Sequence, residues 1–569
     1  MRGPGPASPY ISCSGRRRLG ADRPAHPEHP IRIGRAASIP LLLLAACTRT
    51  ADVATCAECG TVVIAAVREP ATVLPPLVLE TVGRDVGDRV FERLATLAPG
   101  ASTIDATSYR PALAEQWERV DSLTWRFRLR ADARWHDGTP VVADDVVFSF
   151  EAYQDTLLVG PSASALAGVR TRAVDGTTVE VTFPRPGAEQ LYDATWHVRV
   201  LPRHVWSAVP REAWASDTAL ARLVGSGPYR ITRWERGQSI TLDADSTRVP
   251  VPAVRRVVWR FAPDPDAALN LLLAHEVDVL ETVGGDAQAA RVAGDSSLRL
   301  VRYPGAVFGF VGFRVAGRDG RPSGALGDRA VRRALTRAVD RAALARAVVG
   351  EGASVPQGPM SRLLWIGNDY GADAALSFDT ASAAAELHAA GWVMGADGMR
   401  HRGGTPLAFD VLVPATSSVR RQLAEALQAG WRRVGVAVTV TPVDFPVFQE
   451  RLARGAFDSY IGAYLDEPSP RGVADQWTRA GFDGLNHGRY ANPVVDSLVG
   501  LALASGDLAS ARRLWHLALD SLASDAPAVF LYTPEQRAAV HRRIGTGAID
   551  PFSWLSGIER WTIDQRAPR

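Results

Sequence analysis

The sequence predicts an α/β fold, and three observations carry that prediction. Gly60-Thr-Val-Val-Ile-Ala-Ala-Val67 is a short, apolar, β-branched run, the pattern of a strand buried on both faces. Leu123, Trp125, Phe127 and Leu129 alternate with Thr124, Arg126, Arg128 and Arg130, which puts apolar groups on one face of a strand and arginines on the other. From about residue 328 the chain alternates strands with aspartate-capped helices.

Taken in order, the 60–67 strand ends at Glu69-Pro70. Val86, Val90, Phe91 and Leu94 recur at helical spacing, so a helix is expected over 85–94. After the alternating strand, Asp137-Gly138 signals a turn, because glycine tolerates positive φ, and Thr139-Pro140 extends the break. Asp144 or its neighbour then caps a helix over 145–153, with Val146, Val147 and Phe150 facing inward. Residues 178–183 read as a strand, 225–243 as a glycine turn and a hairpin with its tip near Gly237. A strand over 256–262 and an alanine-rich helix over 266–275 follow. Asp328 caps a helix over 329–338, and Asp340 caps one over 341–349 that Gly350 closes. Strands at 407–413 and 435–442 alternate with helices at 380–390, 418–433 and 445–453.

The N-terminus carries address information. Residues 1–30 are rich in Pro, Gly and Arg; Arg32 and Arg35 then precede an apolar run, Ala36 to Ala46, and Cys47. A charged region, a short apolar core and small residues are the layout of an export signal. The run falls short of the ~18 residues of a membrane-spanning helix. Leu44-Ala45-Ala46-Cys47 resembles the lipobox of bacterial lipoproteins, which makes Cys47 the expected lipidation site; an ordinary secretory signal is the alternative. Removal of residues 1–46 takes away seven arginines and two acids, so the net charge of +3 becomes −2. Cys56 and Cys59 form a lone Cys-x-x-Cys with no second pair to complete a zinc site, and a local disulfide is expected there.

Composition and motifs exclude several functions. A net charge of +3 makes no electrostatic case for nucleic acid. Every basic residue is arginine, so neither a Walker A lysine nor a Schiff-base lysine exists. His275-Glu276-Val277-Asp278-Val279 lacks the second histidine of a zinc protease helix, and no Gly-x-Ser-x-Gly elbow occurs. Gly225-Ser226-Gly227-Pro228 lacks the third glycine of a dinucleotide fingerprint and reads as a tight turn. No catalytic residue, metal site or cofactor is assigned. Fifteen tryptophans suit a ligand pocket, although core packing accounts for most of them.

Tyr109-Arg-Pro-Ala-Leu-Ala-Glu-Gln-Trp117, the alternating strand, Trp135-His-Asp-Gly-Thr-Pro140 and Ala143-Asp-Asp-Val-Val-Phe-Ser-Phe150 together resemble the extracellular solute-binding protein family 5, the receptors of bacterial peptide, nickel and oligosaccharide ABC importers. Leu201-Pro-Arg-His204, Gly225-Ser-Gly-Pro-Tyr229, Glu276-Val-Asp278, Val331 to Arg341, Ala389 to Trp392 and Tyr490 to Asp496 match that family in order, so the resemblance spans about 60–569. It implies that His136-Asp137-Gly138 is a turn before a capped helix and not a metal site.

The resemblance also implies a type II periplasmic binding protein clamshell. Residues 1–46 would be an extension and lipoprotein signal peptide, and 47–59 a tether. The first lobe would comprise 60–97, 210–305 and 526–569, with an inserted subdomain at 98–209; the second lobe would be 306–525. A monomer, exported and lipid-anchored at the membrane, would capture a solute between the lobes and pass it to ABC permease subunits. Peptide is the leading ligand class; an oligosaccharide, a metal complex, or a sensory or chaperone-like role without transport are the alternatives. Peptide-binding members grip the ligand's amine with an aspartate before a Glu/Asp-Pro pair. Aligned on Glu467-Pro468, that position here is Tyr464, and Asp466 lies two residues on, on the same face of a strand. Tyr464, Asp466, Trp365 and Trp477 are the expected ligand-binding residues.

Overall fold

A computed structural model describes residues 60–564 apart from 159–161, 369 and 371–375. The signal, Cys47, Cys56 and Cys59 lie outside the described residues. Two main sheets organise the rest. The first has seven strands, in the order Leu298–Pro304, Glu535–His541, Val279–Leu280, Thr61–Val67, Arg256–Ala262, Ser239–Ala244, Tyr229–Glu235. Thr61–Val67 is central and runs parallel to both of its neighbours, which is why it is apolar throughout. The expected 256–262 strand and the hairpin around Gly237 are both present. A buried ion pair fastens the C-terminal segment to this sheet: Arg543 donates from Nε and Nη2 to Asp278 Oδ1 (2.8 and 2.6 Å), while Asp278 Oδ2 accepts from Val63 N.

The second sheet has five strands, in the order Ala437–Val443, Ala408–Pro414, Ser459–Leu465, Val307–Phe313, Ala528–Tyr532. Around it stand the expected helices. Asp328 caps Arg329–Arg337 by accepting from Ala330 N, and Asp340 caps Arg341–Val348 by accepting from Ala343 N. The chain passes from the first sheet to the second at Gly305-Ala306 and returns at Thr533-Pro534. The two passages touch: Gly305 N donates to Pro534 O at 3.0 Å, and a Cβ on Gly305 would stand 2.7 Å from that oxygen.

A third, antiparallel sheet comprises Ala114–Arg119, Thr124–Leu129, Thr178–Thr182 and Arg170–Ala173. Phe127, Leu129, Val179 and Val181 bury their side chains against Val146 and Phe150 of helix Ala143–Gln154 and against Leu191 and Tyr192 of helix Gln190–Trp196.

Two helix assignments change. The first helix runs Thr81–Val90, earlier than its apolar spacing suggested; Phe91 and Leu94 are buried but lie beyond its end. The second begins at Ala143, and the acid that organises its start is Asp145, not the exposed Asp144. Asp145 accepts from Val142 N, from Trp135 Nε1 and from Arg203 N, so one buried carboxylate joins the helix start to the preceding turn and to the 203 segment.

That turn is structural. Gly138 has φ +87°, and Asp137 pairs with His204 at 2.7 Å. His136 Nδ1 accepts from Gly225 N (3.1 Å), so its Nε2 carries the proton and donates to Gly227 O (3.0 Å). Burial holds this imidazole below its usual pKa, in agreement with a neutral ring using both nitrogens. The Gly225-Ser226-Gly227 turn is pressed against the end of the first helix, where Gly227 N donates to Val90 O. A Cβ at Gly225 would overlap that carbonyl. Gly225→Ala is therefore expected to destabilise the protein by about 1–3 kcal/mol through overpacking. Gly500→Ala, inside helix Pro493–Ala504 with nothing near its added Cβ, is expected to gain about 0.5–1 kcal/mol. Urea unfolding midpoints of the two variants check the contrast.

Candidate functional site

Strand Ser459–Leu465 runs beside Val307–Phe313, the strand that leaves the first crossing. Where it ends, Asp466-Glu467-Pro468-Ser469-Pro470-Arg471 forms a loop stiffened by two prolines, and helix Gly472–Trp477 follows. Asp466 N donates to Ala306 O at 2.7 Å, which hangs the loop directly from the crossing. This loop, the helix after it and residues 185–193 form part of the wall of a cavity of about 790 Å³.

Of the four side chains expected to bind ligand, Asp466 lines this cavity. Its carboxylate accepts from Ser361 N, and no described arginine or histidine pairs with it. Burial pushes its pKa up to about 7, with Ser361 opposing; the residue keeps a partly exposed edge. The three aromatics stand behind the wall. Tyr464 donates from its hydroxyl to Leu485 O (2.8 Å), and its ring packs on Phe308 and Phe310. Trp477 is buried edge-on against Phe310 and Phe530. Trp365 is also buried and borders a much smaller void beside Trp196 and Phe552.

Sequence reasoning missed the strongest charged group in the cavity. Arg471 makes a bidentate pair with Asp193 (2.8 and 3.0 Å) and reaches Glu189 at 3.3 Å. Glu189 also accepts from Ser469 Oγ (2.7 Å) and from Thr103 Oγ1. These contacts tie helix Gln190–Trp196 and its approach to the 466–471 loop, 278 residues away in sequence. Burial pushes Asp193 up to about 7 and Arg471 opposes; the bidentate geometry is that of a carboxylate. Burial pulls the Arg471 guanidinium down, but Asp193 and Glu189 outweigh it and hold it above its ordinary value. Burial drops His197 to about 3, with Arg471 adding to the effect, so its 3.7 Å approach to Asp193 joins a neutral ring to the acid. A signal existed in Glu189 and Asp193, four residues apart and so on one helical face, but nothing local names their partner. Among the described residues, no group of three or more His, Cys, Asp or Glu is disposed to hold a metal ion.

The model of the bacterial extracellular solute-binding proteins, family 5 (middle) matches residues 108–483. The chain belongs to this family. An oligopeptide-binding protein of Bacillus subtilis, AppA, is 23% identical over 518 residues, covering 89% of this chain and 92% of the relative. The AppA structure, solved in complex with a nonapeptide, has a TM-score of 0.69 at 22% identity and covers 89% of this chain and 99% of that one. The dipeptide-binding protein of Escherichia coli is 25% identical over 477 residues, 79% of this chain and 85% of the relative. NikZ from Campylobacter jejuni, solved in complex with Ni(L-His), has a TM-score of 0.69 at 20% identity, covering 88% and 99% of the two chains. The fold is thus the type II periplasmic binding protein architecture expected from sequence, and the turn at His136 belongs to the matched region.

Arg471→Gln would leave Glu189 and Asp193 without their cation. The expected cost is about 2–4 kcal/mol, below that of a fully sealed pair because 31% of the Arg471 side chain is exposed. Adding Asp193→Asn should recover part of that loss. A double-mutant cycle in urea measures the coupling, and additive effects would show that the two residues do not interact.

Proposed function

We propose that this protein is the substrate-binding component of an ABC importer and captures a short peptide in the 790 Å³ cavity. The observation that carries the reading is Asp466, a cavity carboxylate with no cationic partner among the described residues. A buried acid of this kind is stabilised by a ligand ammonium, which supplies both charge and N–H donors. Family membership supports the receptor role, and the peptide-binding names of AppA and the Escherichia coli relative support the ligand class. No residue is assigned a catalytic task.

Under the same reading the lobes are those expected from sequence except at the return crossing, which lies at Thr533-Pro534 and not at 525–526: strand Ala528–Tyr532 pairs in the second sheet and so goes with the second lobe. The protein works as a monomer, exported and held at the membrane by lipid on Cys47, where it meets its permease. Cys47→Ser should then move the protein from the membrane fraction to the soluble one; an unchanged distribution would remove the anchor from this proposal.

The test of the ligand reading is calorimetric titration with trialanine. Asp466→Asn should weaken binding on the order of tenfold to a hundredfold, the worth of a charge-assisted contact. The pH dependence has a definite sign. Asp466 is protonated below about 7, so ammonium binding at pH 6 must expel its proton and affinity should rise toward pH 8. Heats measured in buffers of different ionisation enthalpy would report that proton. Equal affinity in the two proteins and no proton release would exclude Asp466 as the anchor.

A further inference from the structure

The cavity wall has an excess of acceptors. Five carboxylates and two arginines line it, and His197 is neutral. Arg471 is engaged with Glu189 and Asp193, while Arg185 is exposed and in none of the described ion pairs. Within the lining, Asp466, Glu467 and Asp475 thus outnumber the remaining cation, although Arg84 and Arg199 act on Glu467 from behind it.

A second, independent feature points the same way. Three wall residues leave a buried polar atom with no partner: Gln190 Oε1, Gln476 Oε1 and the Tyr192 hydroxyl. These residues are 3%, 7% and 1% exposed. The Gln190 amide is held in orientation, because its Nε2 donates to Ser122 O and Arg185 O, so the oxygen is what it has left to offer. Two of the three atoms can only accept. Unsatisfied buried acceptors of this kind draw either ordered water or a donor-bearing ligand, and a ligand that displaces the water must bring N–H groups of its own.

We infer that the cavity selects solutes with more than one cationic N–H group, namely short peptides carrying an arginine or lysine side chain besides the N-terminal amine. The inference rests on the peptide reading above and deepens it. One ammonium meets Asp466. The second cation meets the Glu467 side of the loop, where Arg84 from the first helix is the principal opposing charge and Arg471 and Arg199 add to it. An acidic side chain in its place would face an excess of carboxylates and acceptor lone pairs.

The experiment compares Ala-Arg-Ala, Ala-Ala-Ala and Ala-Glu-Ala by titration into the mature protein. Ala-Arg-Ala should bind on the order of tenfold tighter than trialanine, and Ala-Glu-Ala on the order of tenfold weaker. The spread should narrow between about 0.05 M and about 0.5 M NaCl, since the ion pairs are partly open to solvent. Glu467→Gln, at an exposed position, should reduce the preference for Ala-Arg-Ala over trialanine roughly threefold. If that variant does not fold, the salt dependence of the unmodified protein decides. Three equal affinities would overturn the selectivity and leave the peptide reading intact. Binding of none of the three would overturn both.

Discussion

The cavity hangs from one short-range constraint, the side-by-side passage of the chain between its two main sheets. Gly305 N donates to Pro534 O, and the next residue, Ala306, accepts from Asp466 N at 2.7 Å. One peptide's length therefore separates the crossing from the cavity carboxylate. The strand after the first passage, Val307–Phe313, pairs along its whole length with Ser459–Leu465, which delivers the 466–471 loop. A side chain on Gly305 would push the passages apart and displace the hydrogen bond on which Asp466 depends. The two passages are short and lie side by side, the arrangement that a hinge of few residues requires.

The opposite wall is held differently. Arg471 reaches it through Asp193 and Glu189, and here burial and pairing oppose each other. Taking two carboxylates out of water costs several kcal/mol each, and one guanidinium offsets this only with good geometry and extra donors. Both are present: a bidentate contact to Asp193, and hydroxyl donors from Ser469 and Thr103 to Glu189. The aromatic layer behind the loop supplies what the charges do not. Phe308, Phe310, Tyr464, Trp477 and Phe530 pack with ring centroids 5.1–6.4 Å apart and make the floor under Asp466 rigid and apolar.

Much of the fold was legible because its signals are local. The 256–262 strand, the 237 hairpin and the caps at Asp328 and Asp340 depend on residues within a few positions of each other. The displaced start of the second helix shows the limit. Asp144 and Asp145 are equal as sequence signals, and only the tertiary donors Trp135 Nε1 and Arg203 N single out Asp145. The site was less legible for the same reason. Alignment on Glu467-Pro468 drew attention to Tyr464, but its ring is absorbed by Phe308 and Phe310, neighbours contributed by another strand. Asp466 was found for a reason that does not hold, since the strand ends at Leu465 and Asp466 faces the cavity from the loop while Tyr464 packs behind it. Arg471 could not be read from sequence, since its partners lie 278 residues away and no motif links them.

On the proposed capture mechanism, these two walls decide which contacts can drive closure. A ligand that touches only the 466–471 loop has the same contacts whether the opposite wall is near or far, so it shifts no equilibrium however tightly it binds. Arg471 joins the two walls through its bonds to Asp193 and Glu189. What remains for the ligand is the set of groups that Arg471 does not satisfy: Asp466 on the loop side and the Gln190 oxygen and Tyr192 hydroxyl on the other. A solute with one amine can reach the first. Under the proposed reading both cations meet the loop side, so engagement of the far wall falls to the ligand's other N–H donors, for which the Gln190 oxygen and the Tyr192 hydroxyl are the acceptors.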